Sequence, residues 1–209
     1  MKTHRFLAAV VVCVALFAAA ADTPNDATLS KQEREFAIKY LKETQKDFLK
    51  SVKGLSDEQW KFKSAPDKWS VAEVSEHIAL SEDFLSKMVT EKILKSPEAS
   101  AEQRAAVKGK EEQIMKMIPD RSKKAQAPEQ LKPQNAFASR DALLKAFTSK
   151  RDANIKYVKD TQDPLHAHVA PAPIGEFDAY QWIIFMAAHS KRHTAQIEEV
   201  KADPNFPKR

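Results

Sequence analysis

The sequence predicts an all-α protein, a four-helix bundle with an extra helix or loop insertion between the second and third long helices. Three observations lead there. Only three glycines occur among 209 residues, and Ala, Leu, Lys, Glu and Gln, the strong helix formers, are abundant. Four long segments carry apolar residues at helical spacing, with capping or stop signals at their ends. No parallel-sheet pattern or strong internal repeat competes with them.

The chain opens with a segment that reads as a leader. Lys2, His4 and Arg5 precede the apolar run Phe6 to Phe17, and Ala18 to Ala21 supply small residues before Asp22. This is the pattern of a secretory signal peptide cleaved after Ala21, too short to anchor comfortably as a span. Residues 1–21 are therefore the expected leader and 22–209 the folded domain. The protein is expected to be exported, to a periplasm or the medium, with no stable membrane span after cleavage. Cys13 lies in the apolar run behind Val10 to Val12, which does not suit lipidation. Cleavage would remove the one cysteine, leaving no disulfide, thiol nucleophile or sulfur ligand.

Ser30 and Glu33 form a capping box for a first long helix to about Val52, stopped by Gly54. Its apolar positions include Phe36, Ile38, Tyr40, Leu41, Phe48, Leu49 and Val52. Leu55 to Lys68 reads as a connector. Ser70 and Glu73 cap a second helix to about Leu94, with Trp69 placed to staple onto Val74. Glu98 to Ile118 reads as a weak helix ended by Pro119, and Arg121 to Asn135 as a proline-punctuated loop. The third long helix spans Ser139 to about Asp160, with Leu143, Leu144, Phe147, Ile155 and Val158 inward. Thr161 to Gly175 is a second connector, and Glu176 to Lys201 the fourth helix, ended by Asp203 and Pro204.

Without its leader the formal charge falls from +5 to +3 through loss of Lys2 and Arg5. The remaining lysines alternate with acidic residues, as in Lys39, Lys42, Glu43 and Lys46, the pattern of a solvated helix face. No basic stripe interleaves with exposed aromatics, which argues against nucleic-acid binding.

The chemistry lies in three histidines. His189 and His193 are four residues apart, so they share one helix face with Trp182, Met186, Ile197 and Val200. His77 falls on the stripe of the second helix with Val71, Val74, Ser81, Phe84, Leu85 and Met88. Imidazoles aimed into a core need partners, and three from two helices can share a divalent metal, with zinc or nickel the expected ion. The pair lacks a glutamate directly after its first histidine and so is not the HExxH protease motif. The competing reading is that each ring simply hydrogen-bonds to a carbonyl or carboxylate and packs. Glu73 and Gln196 are the candidate outer partners, Glu73 being the better helix cap. His166 and His168 are candidates to close over the metal from their loop, although loop histidines are more often simply solvated. Trp69 and Trp182 are candidates to line a pocket.

These residues resemble a known family. LSDEQWKFKSAPDKWSVAEVSEHIAL resembles the first signature of the DinB-like superfamily, and IGEFDAYQWIIFMAAHSKRHTAQIEEVKADPNFP its closing one. The stretch APEQLKPQNAFASRDALLKAFTSKRDANIKYV fits the linker and third helix between them. The resemblance implies a four-helix bundle with an unusual connection order and a divalent metal on His77, His189 and His193. It further implies either a thiol-dependent transferase or isomerase, with a small thiol cofactor, or a metal-dependent hydrolase. An exported chain is separated from cytosolic thiols, which favours hydrolysis of a small extracytoplasmic compound. No general base is singled out among Glu73, His166 and His168. The reading from another class is a non-catalytic ligand- or partner-binding bundle, with a structural metal or none. Homodimerisation through helix faces is compatible with either.

Overall fold

The computed structural model describes residues 27–208; the expected leader lies outside them. Seven α-helices and one hairpin are present among these residues. Helix α1 (Lys31–Val52) starts at the expected Ser30–Glu33 capping box, and Gly54 adopts a left-handed φ of 70° just beyond it. The connector then forms a short helix, α2 (Asp57–Lys61), with its own capping box from Ser56 and Gln59. Helix α3 (Val71–Lys87) carries the Ser70–Glu73 box, and Trp69 and Val74 pack in the same apolar cluster. It runs on through a π turn at Met88–Lys92 and a 3-10 turn at Ile93–Lys95, close to the expected end.

The weak helix between Glu98 and Ile118 is two helices, α4 (Ala101–Val107) and α5 (Glu111–Met117). Gly109, at φ 77°, makes the break between them. A long irregular segment follows, containing one 3-10 turn at Glu129–Leu131. Helix α6 (Arg140–Asp160) matches the third long helix.

The expectation for Glu176 is corrected. Strands β1 (Val169–Ala172) and β2 (Gly175–Asp178) form an antiparallel hairpin, pairing Val169 with Asp178 and Ala172 with Gly175. Helix α7 (Ala179–Lys201) therefore starts at Asp178, whose side chain accepts from the Gln181 N–H at 2.7 Å. A capping aspartate with glutamine three residues on ends the strand by satisfying the helix's first donors.

The four long helices pack as a ring in which α1 touches α7, α7 touches α3, α3 touches α6 and α6 touches α1. Helices successive among the long four, α1 and α3, thus lie on a diagonal, as do α6 and α7. An up-and-down bundle would place successive helices side by side, so the connection order is the unusual one. Two apolar clusters fill the interior. Tyr40, Leu41, Leu85, Ile184 and Phe185 belong to one, and Phe48, Val74, Ile78, Phe147 and Ile197 to the other. Phe36, on the expected stripe of α1, is instead 38% exposed.

At the centre of the bundle lies a polar cluster that helical spacing alone does not announce. Arg151 is fully buried, and all five of its N–H donors find acceptors. Nε and Nη2 each reach a Glu82 carboxylate oxygen at 2.7 Å. Nη1 donates to the Leu41 carbonyl and to Thr44 Oγ1, and Nη2 also donates to Ser190 Oγ, each at 2.8 Å. Asn154 Nδ2 donates to Glu82 Oε1 at 2.8 Å. All four long helices meet in this one network.

Candidate metal centre

Helices α3 and α7 are ring neighbours, and their contact brings the three histidines together. His77 Nε2 lies 3.3 Å from His189 Nε2 and 3.2 Å from His193 Nε2. Among the described residues, these three form the cluster of His, Cys, Asp or Glu able to share an ion, with ligand atoms all within 4.8 Å. His77 is buried, while His189 and His193 are partly exposed, so the site sits at the edge of the bundle. The Trp69 ring is 5.1 Å from that of His77, and the Phe185 ring 5.8 Å from that of His189. Of the two tryptophans considered for the pocket, Trp69 touches the site. Trp182 packs at 5.0 Å on Phe185 and at 5.7 Å on Phe177.

The outer bonds decide what the inner nitrogens are. His77 Nδ1 lies 2.8 Å from the Leu131 carbonyl oxygen, an atom that only accepts, so Nδ1 carries the proton. His193 Nδ1 is 2.8 Å from Gln196 Oε1, as expected of that glutamine. The Arg121 guanidinium, 3.3 Å from the same oxygen, fixes it as the acceptor end of the amide. Both rings therefore present a bare lone pair at Nε2. Two such lone pairs 3.2 Å apart cannot hydrogen-bond to each other and repel unless a cation lies between them. Nitrogens sharing one tetrahedral zinc at about 2.0–2.1 Å are separated by roughly 3.3–3.4 Å, so the triad fits an ion of this kind.

Electrostatics agree. Burial pushes the His193 pKa down to about 3, with His77 contributing further. Burial holds His189 well below its ordinary value, with both other rings adding to the effect. His77 is also lowered, by burial, against the pull of its bond to Leu131. Rings that stay neutral across the physiological range are in the state that binds metal.

The other candidates are elsewhere. Glu73 Oε2 accepts from the Ser70 N–H at 2.7 Å, and Oε1 pairs with Lys63 at 2.8 Å. It is the helix cap. His166 and His168, weighed as candidates to close over the ion, lie instead at the opposite end of α7. The Ala179 N–H donates to the His168 carbonyl, and His166 Nδ1 bonds to Asp178 Oδ2 at 2.8 Å. His189 and His193 are 11 and 15 residues beyond Asp178, roughly 16 and 22 Å along the helix at about 1.5 Å per residue. The Asp178 cap draws the loop to that end.

Burial alone would lower the His166 pKa, but Asp178 and Glu33, the latter 3.4 Å from Nε2, outweigh it and hold it above the ordinary value. A raised folded-state pKa contributes stability that is fully present below the unfolded value of about 6.5 and is lost as pH rises through the folded one. Asp178→Asn keeps a capping side chain but removes one carboxylate. An NMR titration of the His166 ring is expected to find its midpoint lower in that variant; an unchanged midpoint would leave Glu33 as the sole cause.

Comparison with known proteins agrees with this architecture. Residues 40–197 match the DinB superfamily. YuaE of Bacillus subtilis (strain 168), an uncharacterized protein, is 29% identical over 151 residues, covering 72% of this chain and 88% of that protein. Among solved structures, YfiT from Bacillus subtilis superposes with a TM-score of 0.52 at 15% identity, covering 86% of this chain and 92% of that one. YfiT is described as a probable metal-dependent hydrolase with an unusual four-helix bundle topology; at this identity the likeness speaks to fold alone. With its diagonal connection order and a match over most of its length, the chain belongs to the DinB superfamily.

Proposed function

We propose that this protein binds one divalent metal ion through Nε2 of His77, His189 and His193 and uses it to hydrolyse a small molecule. The observation that carries the reading is the convergence of three nitrogens, two of them fixed as lone-pair donors by their outer bonds. Three protein ligands leave a position open, as catalytic zinc sites do, whereas structural sites close with a fourth. An ion held there would lower the pKa of a bound water towards neutrality and polarise a substrate carbonyl or phosphoryl oxygen. No carboxylate joins the triad among the described residues, so the reading places activation of the water on the ion. His77, His189 and His193 orient that chemistry, and the Trp69 and Phe185 rings flank it. The description of YfiT as a probable metal-dependent hydrolase supports the same class of reaction. The reading includes export, supported by the leader pattern from Lys2 to Ala21.

Elemental analysis of the wild type beside a His189→Ala/His193→Ala double variant tests the metal. About one equivalent of zinc or nickel in the wild type, and none in the variant, is the expected result. Absence from both after reconstitution would end the metal reading and leave a ligand-binding bundle with three packed histidines.

A further inference from the structure

The segment between α5 and α6 crosses the triad and is fastened to both helices that carry it. At its start, Arg192 on α7 donates to the carbonyls of Ile118 (3.1 Å), Asp120 and Lys123 (2.6 Å). Arg121 grips Glu199 on α7 through both carboxylate oxygens at 2.6 and 2.7 Å, with its remaining Nη1 on Gln196. At its end, Glu76 on α3 is buried and points at backbone. Its Oε1 accepts from the N–H groups of Gln134 and Ala136, both at 2.8 Å, and its Oε2 from Asn135 at 3.2 Å. Asn135 turns the chain there at φ 57°, which aims successive N–H groups at one anion. Between these anchors lies Leu131, whose carbonyl holds His77 Nδ1.

We infer that this segment is a strap that sets the tautomers of His77 and His193, with Glu76 and Arg121 as its positioning residues. Neither touches the triad. Glu76 fixes the turn that holds Leu131's carbonyl against His77, and Arg121 fixes the amide that faces His193. A carboxylate is suited to the first task because it accepts several backbone N–H groups at once, with charge assistance. A forked guanidinium is suited to the second because it holds Glu199 and still spares a donor for Gln196. Without either, a neutral imidazole is free to move its proton to Nε2 and withdraw the lone pair. The assignment rests on the metal reading for its consequence, but the tautomers themselves exist without metal.

The test uses both facts. Nitrogen-15 NMR of the metal-free protein reads the tautomer of each ring, and zinc affinity is measured by competition with a chromophoric chelator. In the wild type, His77 and His193 are expected to carry the proton on Nδ1. Glu76→Ala should mix the tautomers of His77 alone and weaken zinc about 10–100-fold, the usual cost of an outer-shell partner. Glu76→Gln, which keeps one good acceptor oxygen for Gln134 and Ala136, should restore part of both. Arg121→Ala, a change at the bundle's edge whose folding is checked by circular dichroism, should mix the tautomers of His193 alone. Unchanged tautomers in Glu76→Ala and Arg121→Ala, with zinc affinity within about twofold, would overturn the inference. If Glu76→Ala does not fold, Arg121→Ala decides: mixing at His193 supports the strap, and an unmoved ring overturns it. Wild-type protein that binds neither zinc nor nickel yet shows the expected tautomer changes would defeat the metal reading and leave the strap standing.

Discussion

Arg151→Met is expected to cost about 3–5 kcal/mol of stability, the range for breaking a buried ion pair by removing one partner. The loss comes less from the arginine than from what it leaves behind. Glu82 would keep one bond, from Asn154, while both strong donors from Arg151 disappear. A carboxylate in that position has no water to turn to, because its side chain is fully buried. The Leu41 carbonyl, Thr44 and Ser190 each lose a donor as well. The double variant Arg151→Met/Glu82→Leu should recover much of the loss, since a buried pair replaced by apolar side chains of similar volume is often near neutral. Urea unfolding of the two variants and the wild type measures both effects. A single variant within about 1 kcal/mol of wild type would mean that water reaches Glu82. Failure of the double variant to recover would show instead that the network specifies how the four helices pack.

Zinc is expected to raise the unfolding midpoint of the metal-free protein, and His77→Ala to abolish the rise. At a free concentration about 1,000 times the dissociation constant, binding to the folded state alone adds about 4 kcal/mol. For a domain of this size that is roughly 8–16 °C. His77 is the informative position because it is the one proposed ligand on α3. Its loss leaves His189 and His193, a pair on a single helix, and weakens binding by more than the ~10–100-fold of an outer partner. Thermal scans with and without zinc, on both proteins, decide the matter. An equal rise in His77→Ala would remove α3 from the site and restrict the ion to α7.

The legible parts of this site were those written in one helix at a time. His189, His193 and Gln196 follow from spacing along α7, and His77 from the stripe of α3, so period alone placed them. Leu131's part was hidden because a backbone carbonyl has no side-chain signature and lies 54 residues from the ring it serves. Glu76 was hidden for a related reason, since an acidic residue beside a stripe reads as solvated until a loop folds onto it. Arg151 and Glu82 look like members of polar helix faces, and only the closed ring of four helices makes those positions interior. The hairpin was obscured by Pro171, which argues against a strand. In a two-stranded ribbon both strands are edges, so a missing donor there is tolerated. The loop histidines' place depends on the Asp178–Gln181 capping box, which starts α7 and draws His166 to the end away from the triad.

His77 and His189 are 112 residues apart in the chain, and that separation orders events in time. Until residues far apart in the polypeptide have met, the three-histidine cluster does not exist, and its His189/His193 half forms only once α7 is helical. Closing so long a span is slow compared with forming a helix. On the proposed metal reading, capture of the ion follows assembly of the bundle and does not guide it. An ion bound there would act on lifetime more than on birth: folding rates are expected to be indifferent to zinc, while a loaded protein would open more slowly and outlast the empty one wherever proteases sample unfolded chains.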